Sequence, residues 1–317
     1  MPHETLPLRE SNRAPTGSGW PHHRGGRADP ERAAYRGAMG RVTQRTPAIR
    51  LEVTPDGVVS RSRPDTVAVE EPLEMRVDGT SISVTMRTPG DDFDLTLGYL
   101  LTEGVLRHAT DVARLMHCLD EDEFGSPTYN VVDVTLAPDV TVDLSRSERN
   151  QYTTSACGVC GKTSIEAITT HRPYAVDTDP VRLSPAVVAG FPDVLRTQQK
   201  VFDKTGGLHA AGLFTPEGEA LVVREDVGRH NAVDKVIGWA GREDRLPLAG
   251  HVLVVSGRAS FELVQKAVMA GIPALVAVSA PSSLAVGLAR EAGLTLVGFA
   301  RAPRLTVYSG DHRLDLD

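Results

Sequence analysis

Cys157 and Cys160 lie within Cys157-Gly158-Val159-Cys160, flanked by the polar stretches Thr153-Thr154-Ser155-Ala156 and Gly161-Lys162-Thr163. They are two of only three cysteines in 317 residues. This spacing suits disulfide exchange, a shared metal ion, or the carriage of a sulfur atom on a thiolate. A structural zinc centre needs two further ligands, often a second pair; Cys118 and scattered histidines complete such a set poorly. A zinc deaminase places His-x-Glu before Pro-Cys-x-x-Cys. Here the cysteines come first, Ala156 stands where the proline would, and His209 is followed by Ala210-Ala211. A thioredoxin-like dithiol would follow a buried strand, and residues 145–156 are too polar for one. Lys162, and a helix starting after it, would favour thiolate at neutral pH. On chemistry alone, metal binding stays open beside redox or sulfur transfer.

Two further segments could serve a ligand. Arg224-Glu225-Asp226-Val227-Gly228-Arg229-His230-Asn231 packs five ionisable side chains, an asparagine and a glycine into eight residues. It reads either as a solvated turn before a helix, with Asp226 or Asn231 as the cap, or as a ligand loop between strand and helix. Phe202-Asp203-Lys204-Thr205-Gly206-Gly207-Leu208-His209 offers paired glycines that let a ligand approach the backbone. Neither matches the phosphate-loop or dinucleotide-fold glycine spacing. Gly257-Arg258 and Arg301 with Arg304 supply guanidinium groups, suited to phosphates and to stacking on flat rings.

These residues need elements to hold them. In the second half, Val187 to Lys200 reads as a helix entered at Ser184-Pro185. Ala210–Phe214 and Ala220–Val223 flank the turn Thr215-Pro216-Glu217-Gly218-Glu219. A helix over Asn231–Ala240 follows, then the strand His251–Ser256, a helix over Ser260–Ala270, the strand Ala274–Val278, a helix over Ser283–Ala292, and a last strand Leu294–Phe299. Alternating strands and helices imply right-handed crossovers and a partly parallel sheet covered on both faces. Sites in such sheets lie beyond the carboxyl ends of the strands. Ser256-Gly257-Arg258, Ser279-Ala280-Pro281 and Ala300-Arg301 should therefore line one crevice.

The first half is organised differently. Residues 1–46 are rich in Arg, Gly, Pro and His and read as a disordered basic tail, in which Met39 is an alternative start. Residues 47–144 form an N-terminal α+β region, with strands at Ile82–Met86 and Val131–Leu136 and a helix over Asp91–Glu103. Residues 145–163 read as a mobile loop bearing the cysteines, and 164–317 as the C-terminal α/β domain. The expected fold class is α/β (α+β): a layered core with a mixed, partly parallel sheet, plus a smaller N-terminal β-rich region.

Bulk properties narrow the partners. Hydrophobic residues make up 41% and charged residues 24%, ordinary for a globular protein, and the net charge of -7 argues against a nucleic-acid coat. Three cysteines do not make a disulfide framework. The longest apolar runs, such as Leu275 to Val278, are too short to span a bilayer, and no apolar core follows the basic N-terminal residues. The expectation is a cytoplasmic protein with no nucleic-acid and no membrane partner.

Ser155-Ala156-Cys157-Gly158-Val159-Cys160-Gly161, Thr205-Gly206-Gly207-Leu208-His209, Arg224 to Asn231, Ser256-Gly257-Arg258-Ala259-Ser260-Phe261-Glu262 and Gly298-Phe299-Ala300-Arg301 occur in one order. Together they resemble the FdhD family of sulfur carrier proteins, required for formate dehydrogenase activity, over about residues 48 to 312. The resemblance implies a cytidine-deaminase-like core without deaminase chemistry, usually as a homodimer. It implies a sulfurtransferase: Cys157 takes persulfide sulfur from a cysteine desulfurase, with Cys160 as an auxiliary. The sulfur then passes to the molybdenum bis(molybdopterin guanine dinucleotide) cofactor, bound as substrate, before its insertion into formate dehydrogenase, and the resemblance implies no permanently bound metal. Phe299-Ala300-Arg301-Ala302-Pro303-Arg304 matches a cofactor-binding segment of the family, to which the crevice reading adds Gly257, Arg258, His209 and Arg229. A dithiol oxidoreductase and a non-catalytic chaperone for the cofactor are the competing readings. The long arginine-rich N-terminus departs from the shorter members of the family.

Overall fold

The structure is a computed structural model that describes the backbone of residues 5–7 and residues 41–118, 129–143 and 172–316 in full. Cys157 and Cys160 lie outside the described residues, as does most of the tail. The described chain holds two larger sheets and two short ribbons.

The N-terminal sheet runs in the order β1 (Thr5–Pro7), β8 (Val112–Cys118), β9 (Val131–Leu136), β6 (Glu71–Val77), β7 (Thr80–Arg87). Only the β6–β9 pairing is parallel. One helix, α1 (Asp92–Thr102), covers this sheet, sending Phe93, Leu97, Leu100 and Leu101 into a core with Leu73, Met75, Val132 and Val134. The ribbons β2 (Thr43–Thr46) with β5 (Asp65–Ala68), and β3 (Ile49–Thr54) with β4 (Gly57–Ser62), precede it.

The C-terminal sheet has the order β11 (Ala220–Asp226), β10 (His209–Phe214), β12 (Val252–Val255), β13 (Ala274–Ala277), β14 (Thr295–Arg301), β15 (Arg304–Ser309). Its centre, β12–β13–β14, is parallel and both flanks are antiparallel. Alternate residues go to opposite faces. Leu253, Val255 and Leu275 meet α4 (Arg229–Arg242), α5 (Phe261–Met269) and α6 (Ser283–Ala292). Val252, Val254 and Val276 meet α2 (Pro185–Thr197) on the other face. A parallel sheet buried on both faces explains why its strands read as unbroken apolar runs. The layered, mixed-sheet architecture matches the expectation. One element was not legible in the sequence: the chain does not end its sheet at Phe299 but turns at Ala302-Pro303 into β15.

The two sheets meet through α1 and α4, which run antiparallel. Asp94, Gly98 and Thr102 are spaced by four on one face of α1, and Asp234, Gly238 and Arg242 likewise on α4. At the crossing only glycine fits. A Cβ on Gly98 would lie 1.9 Å from the Asp234 carbonyl oxygen, and one on Gly238 1.8 Å from that of Asp94. Above and below the crossing the contacts are polar. Arg242 donates to Asp94 at 2.7 Å, and the Thr102 hydroxyl donates to Asp234 at 2.8 Å. Lys266 of α5 joins Thr102, Glu103 and Asp234 at 2.9, 2.9 and 3.0 Å. Burial works against the charge of Lys266, but the two carboxylates outweigh it and hold the ammonium above its usual range. Replacing Gly98 or Gly238 by alanine should separate the helices and cost about 3 kcal/mol or more in urea-monitored stability. A cost below about 1 kcal/mol would show that the crossing is not a backbone contact.

Candidate functional site

The carboxyl ends of β12, β13 and β14 are laced together. The Ser279 amide donates to the Gly257 carbonyl at 3.3 Å, Ser282 to Ala259 at 3.0 Å and Phe299 to Ser279 at 3.2 Å. The three segments expected to line one crevice meet at the carboxyl ends of these strands, but none of them lines the cavity found beside them. His209, at the start of β10, and Asp226, at the end of β11, pair with each other at the same end of the sheet, because β10 runs antiparallel to both β12 and β11.

The charge run 224–231 is not a solvated turn. Asp226 is fully buried and accepts from four donors: the Thr88 amide at 3.1 Å, the Gly228 amide at 2.8 Å, the Asn231 side-chain amide at 3.0 Å and the Lys235 ammonium at 2.7 Å. Lys235 also donates to the Thr88 carbonyl at 2.9 Å, and Asn231 to that of Met86 at 2.8 Å. Arg224 pairs with Asp94 at 2.9 Å, and Glu225 accepts from the amides of Val201 and Phe202 at 2.9 and 2.8 Å. Asp226 and Asn231 are therefore not helix caps. Gly228 takes the N-cap position of α4, and no side chain caps it. The network fastens the strand β7 of the first sheet to the head of α4.

What remains of the run faces a cavity of about 120 Å³, lined by Glu70, Met86, His209, Gly228, Arg229 and His230 among others. The His209 ring rests against Gly257, where an added Cβ would lie 3.5 Å from Nδ1. Arg229 has a buried Nε with no hydrogen-bond partner among the described residues. Burial, and then the Arg229 charge, push His209 below its usual range. The same two causes, with Lys266 added, bring His230 down to about 4. His230 Nε2 lies 3.3 Å from the Ser260 hydroxyl and 3.8 Å from Glu262. Both oxygens approach the same ring nitrogen, so the three do not form a serine–histidine–carboxylate relay, in which opposite nitrogens are used. No three described His, Cys, Asp or Glu side chains come together to hold a metal ion.

The expected residues fall into two groups. His209 and Arg229 line the cavity, and Gly257 backs His209. Arg258 is exposed just beyond β12, while Phe299 to Arg304 form the tip of the β14–β15 hairpin, where Arg301 and Arg304 pair in register and both are exposed. Phe299 is 50% exposed and has a positive φ of 50°, which turns its ring outward from a strand whose neighbour Ala300 is buried. Glu70 and Met86 complete the cavity from the N-terminal half, and no local sequence signal marks them. His230 was within the quoted run but had nothing to distinguish it from its neighbours. No helix among the described residues is long and apolar enough to cross a membrane.

Residues 68–315 match the model of the FdhD/NarQ family. The sulfur carrier protein FdhD of Streptomyces avermitilis is 58% identical over 279 residues, which are 88% of this chain and 98% of the relative. That of Mycobacterium tuberculosis is 56% identical over 256 residues, 80% of this chain and 93% of the relative. Among solved structures, a protein of Desulfotalea psychrophila provisionally described as a formate dehydrogenase accessory protein aligns with a TM-score of 0.63. It is 23% identical, and the alignment covers 85% of this chain and 99% of that one, a likeness of fold.

The low-lying His230 supplies a test of the cavity's electrostatics. A histidine whose folded pKa falls from 6.5 to about 4 contributes stability that is present above pH 6.5 and is lost as pH falls through about 4. The loss assignable to this ring is at most about 3 kcal/mol. Thermal or urea stability of His230→Gln should fall less steeply than wild type between pH 6.5 and 4. Parallel curves would show that the ring is not buried as described.

Proposed function

This chain belongs to the FdhD/NarQ family, and from that premise we propose that it is a sulfur carrier that uses Cys157 as a persulfide-bearing nucleophile. The thiolate of Cys157 attacks the outer sulfur of a desulfurase persulfide. A bond forms between the two sulfurs, and the desulfurase cysteine leaves as its thiolate. The acceptor is the molybdenum of the bis(molybdopterin guanine dinucleotide) cofactor, a substrate destined for formate dehydrogenase. Attack by Cys160 on the Cys157 sulfur then releases the outer sulfur as hydrosulfide and leaves a Cys157–Cys160 disulfide, to be reopened by a dithiol reductant. Hydrosulfide can replace an oxo ligand on the metal with loss of hydroxide, so no further electrons are required.

The observation that supports this reading is the arrangement of cationic groups at the edge where the parallel strands end. Arg229 stands beside His209 with a buried Nε that meets no partner among the described residues, and Arg258, Arg301 and Arg304 are exposed along the same end of the sheet. Guanidinium groups of this kind bind phosphates bidentately, and the exposed Phe299 ring offers a surface on which a flat base can stack. The cofactor carries two guanine nucleotides, so it presents both chemistries. A homodimer in the cytoplasm, with a cysteine desulfurase and a formate dehydrogenase as partners, completes the proposal.

Intact mass after incubation with a cysteine desulfurase and cysteine tests the carrier step. Wild type should gain one reductant-labile sulfur, about 32 Da, and Cys157→Ala none. Cys160→Ala should still load but release sulfide more slowly. Loading through either cysteine equally would favour a dithiol oxidoreductase, and no loading with tight nucleotide binding would favour a chaperone. Separately, alanine at Arg258, Arg301 or Arg304 should weaken guanosine diphosphate binding by about threefold to tenfold. Unchanged affinity in all three variants would remove the hairpin tip from the site.

A further inference from the structure

We propose that the cavity between His209, Arg229 and His230 is a seat for one small anion, the size of a single phosphate or of a persulfide end, and not for a nucleotide base or ribose. This deepens the reading above, since a carrier of sulfur to a guanine-nucleotide cofactor handles both kinds of anion.

The size sets the first limit. A cavity of about 120 Å³ is somewhat smaller than the engineered cavity of about 150 Å³ that takes up one benzene molecule. A group of five heavy atoms fits, and a whole nucleotide, several times larger, does not. The base and ribose must then lie outside, toward the exposed residues of the sheet edge.

Charge sets the second. The buried Nε of Arg229 meets no hydrogen-bond partner among the described residues. The 14-residue helix α4 begins at the same place, its N-cap amide at Gly228 taken by Asp226 at 2.8 Å, and no side chain of the N-cap residue covers its first turn. The two imidazoles, held neutral by burial and by Arg229, can each donate one N–H without competing for the anion's partners. Of the carboxylates nearby, Asp226 is spent on Lys235 at 2.7 Å, and Glu262, 3.8 Å from His230 and facing α4 from α5, feels the Arg229 charge and competes with an anion for it. Glu70 stands exposed at the rim, where solvent screens it. A cation is the poorer fit, because no described cluster of three ligating side chains is present.

The test uses the full-length protein without any desulfurase, so it succeeds or fails independently of sulfur loading on Cys157. Inorganic phosphate and thiosulfate are each titrated while the ring resonances of His209 and His230 are followed by NMR. Both anions should produce saturable shifts of both rings and should compete with each other. Arg229→Gln, which removes no described hydrogen bond, should weaken binding at least about tenfold, and Glu70→Gln should tighten it about twofold. Arg182→Gln, an exposed arginine elsewhere, should leave it unchanged. Guanosine diphosphate then separates the two sources. If thiosulfate displaces it and Arg229→Gln weakens it, the seat takes a nucleotide phosphate. If neither happens while thiosulfate still binds, the seat takes the sulfur end. Absence of saturable shifts, or equal affinity in wild type and Arg229→Gln, overturns the proposal.

Discussion

Everything at the candidate site depends on two helices touching backbone to backbone. Without a side chain at Gly98 and Gly238, α1 and α4 approach until the carbonyl of each lies where the other's Cβ would be. Ordinary helix pairs stay 8–10 Å apart because side chains intervene. The close approach draws the N-terminal sheet onto the C-terminal one and carries Met86 and Glu70 over the head of α4. The cavity is therefore a product of the crossing, built from residues more than a hundred positions apart.

A close crossing could slide or rotate if only glycines met there. The polar pairs on either side prevent this. Arg242 with Asp94 at one end, and Thr102 with Asp234 and Lys266 at the other, fix both register and direction. Burying such charges costs more than their mutual attraction returns unless every lone pair and proton is used. Asp226 meets that condition with four donors, and in doing so it orders the Gly228–Asn231 turn. Beside this network the buried Nε of Arg229 meets no hydrogen-bond partner among the described residues.

Much of the scaffold was legible because its local signals agree. The helices over Pro185–Thr197 and Ser283–Ala292 and the strands of the parallel sheet show either a clear period or a continuous apolar run, bounded by caps and glycines. The charge run 224–231 was legible as unusual but not as buried, since a partner such as Lys235 is chosen by helix geometry and one such as Thr88 by another sheet. Glu70 and Met86 were invisible for the same reason. Strand β15 was missed although Arg304-Leu305-Thr306-Val307 alternates polar and apolar, because it is a short edge strand whose apolar residues are only half-buried.

By itself the sequence determined the paired cysteines, the alternation of strands and helices, and the placing of Gly257-Arg258, Ser279 and Ala300-Arg301 at one sheet edge. These follow from covalent spacing and from periodicities that a short window contains. Only the tertiary structure decided that Asp94, Gly98 and Thr102 face Asp234, Gly238 and Arg242, and that His209, Arg229 and His230 enclose a space. Those facts rest on which surfaces can approach without steric overlap and which buried charges find partners. Both are properties of residues distant in the chain, so no local pattern encodes them.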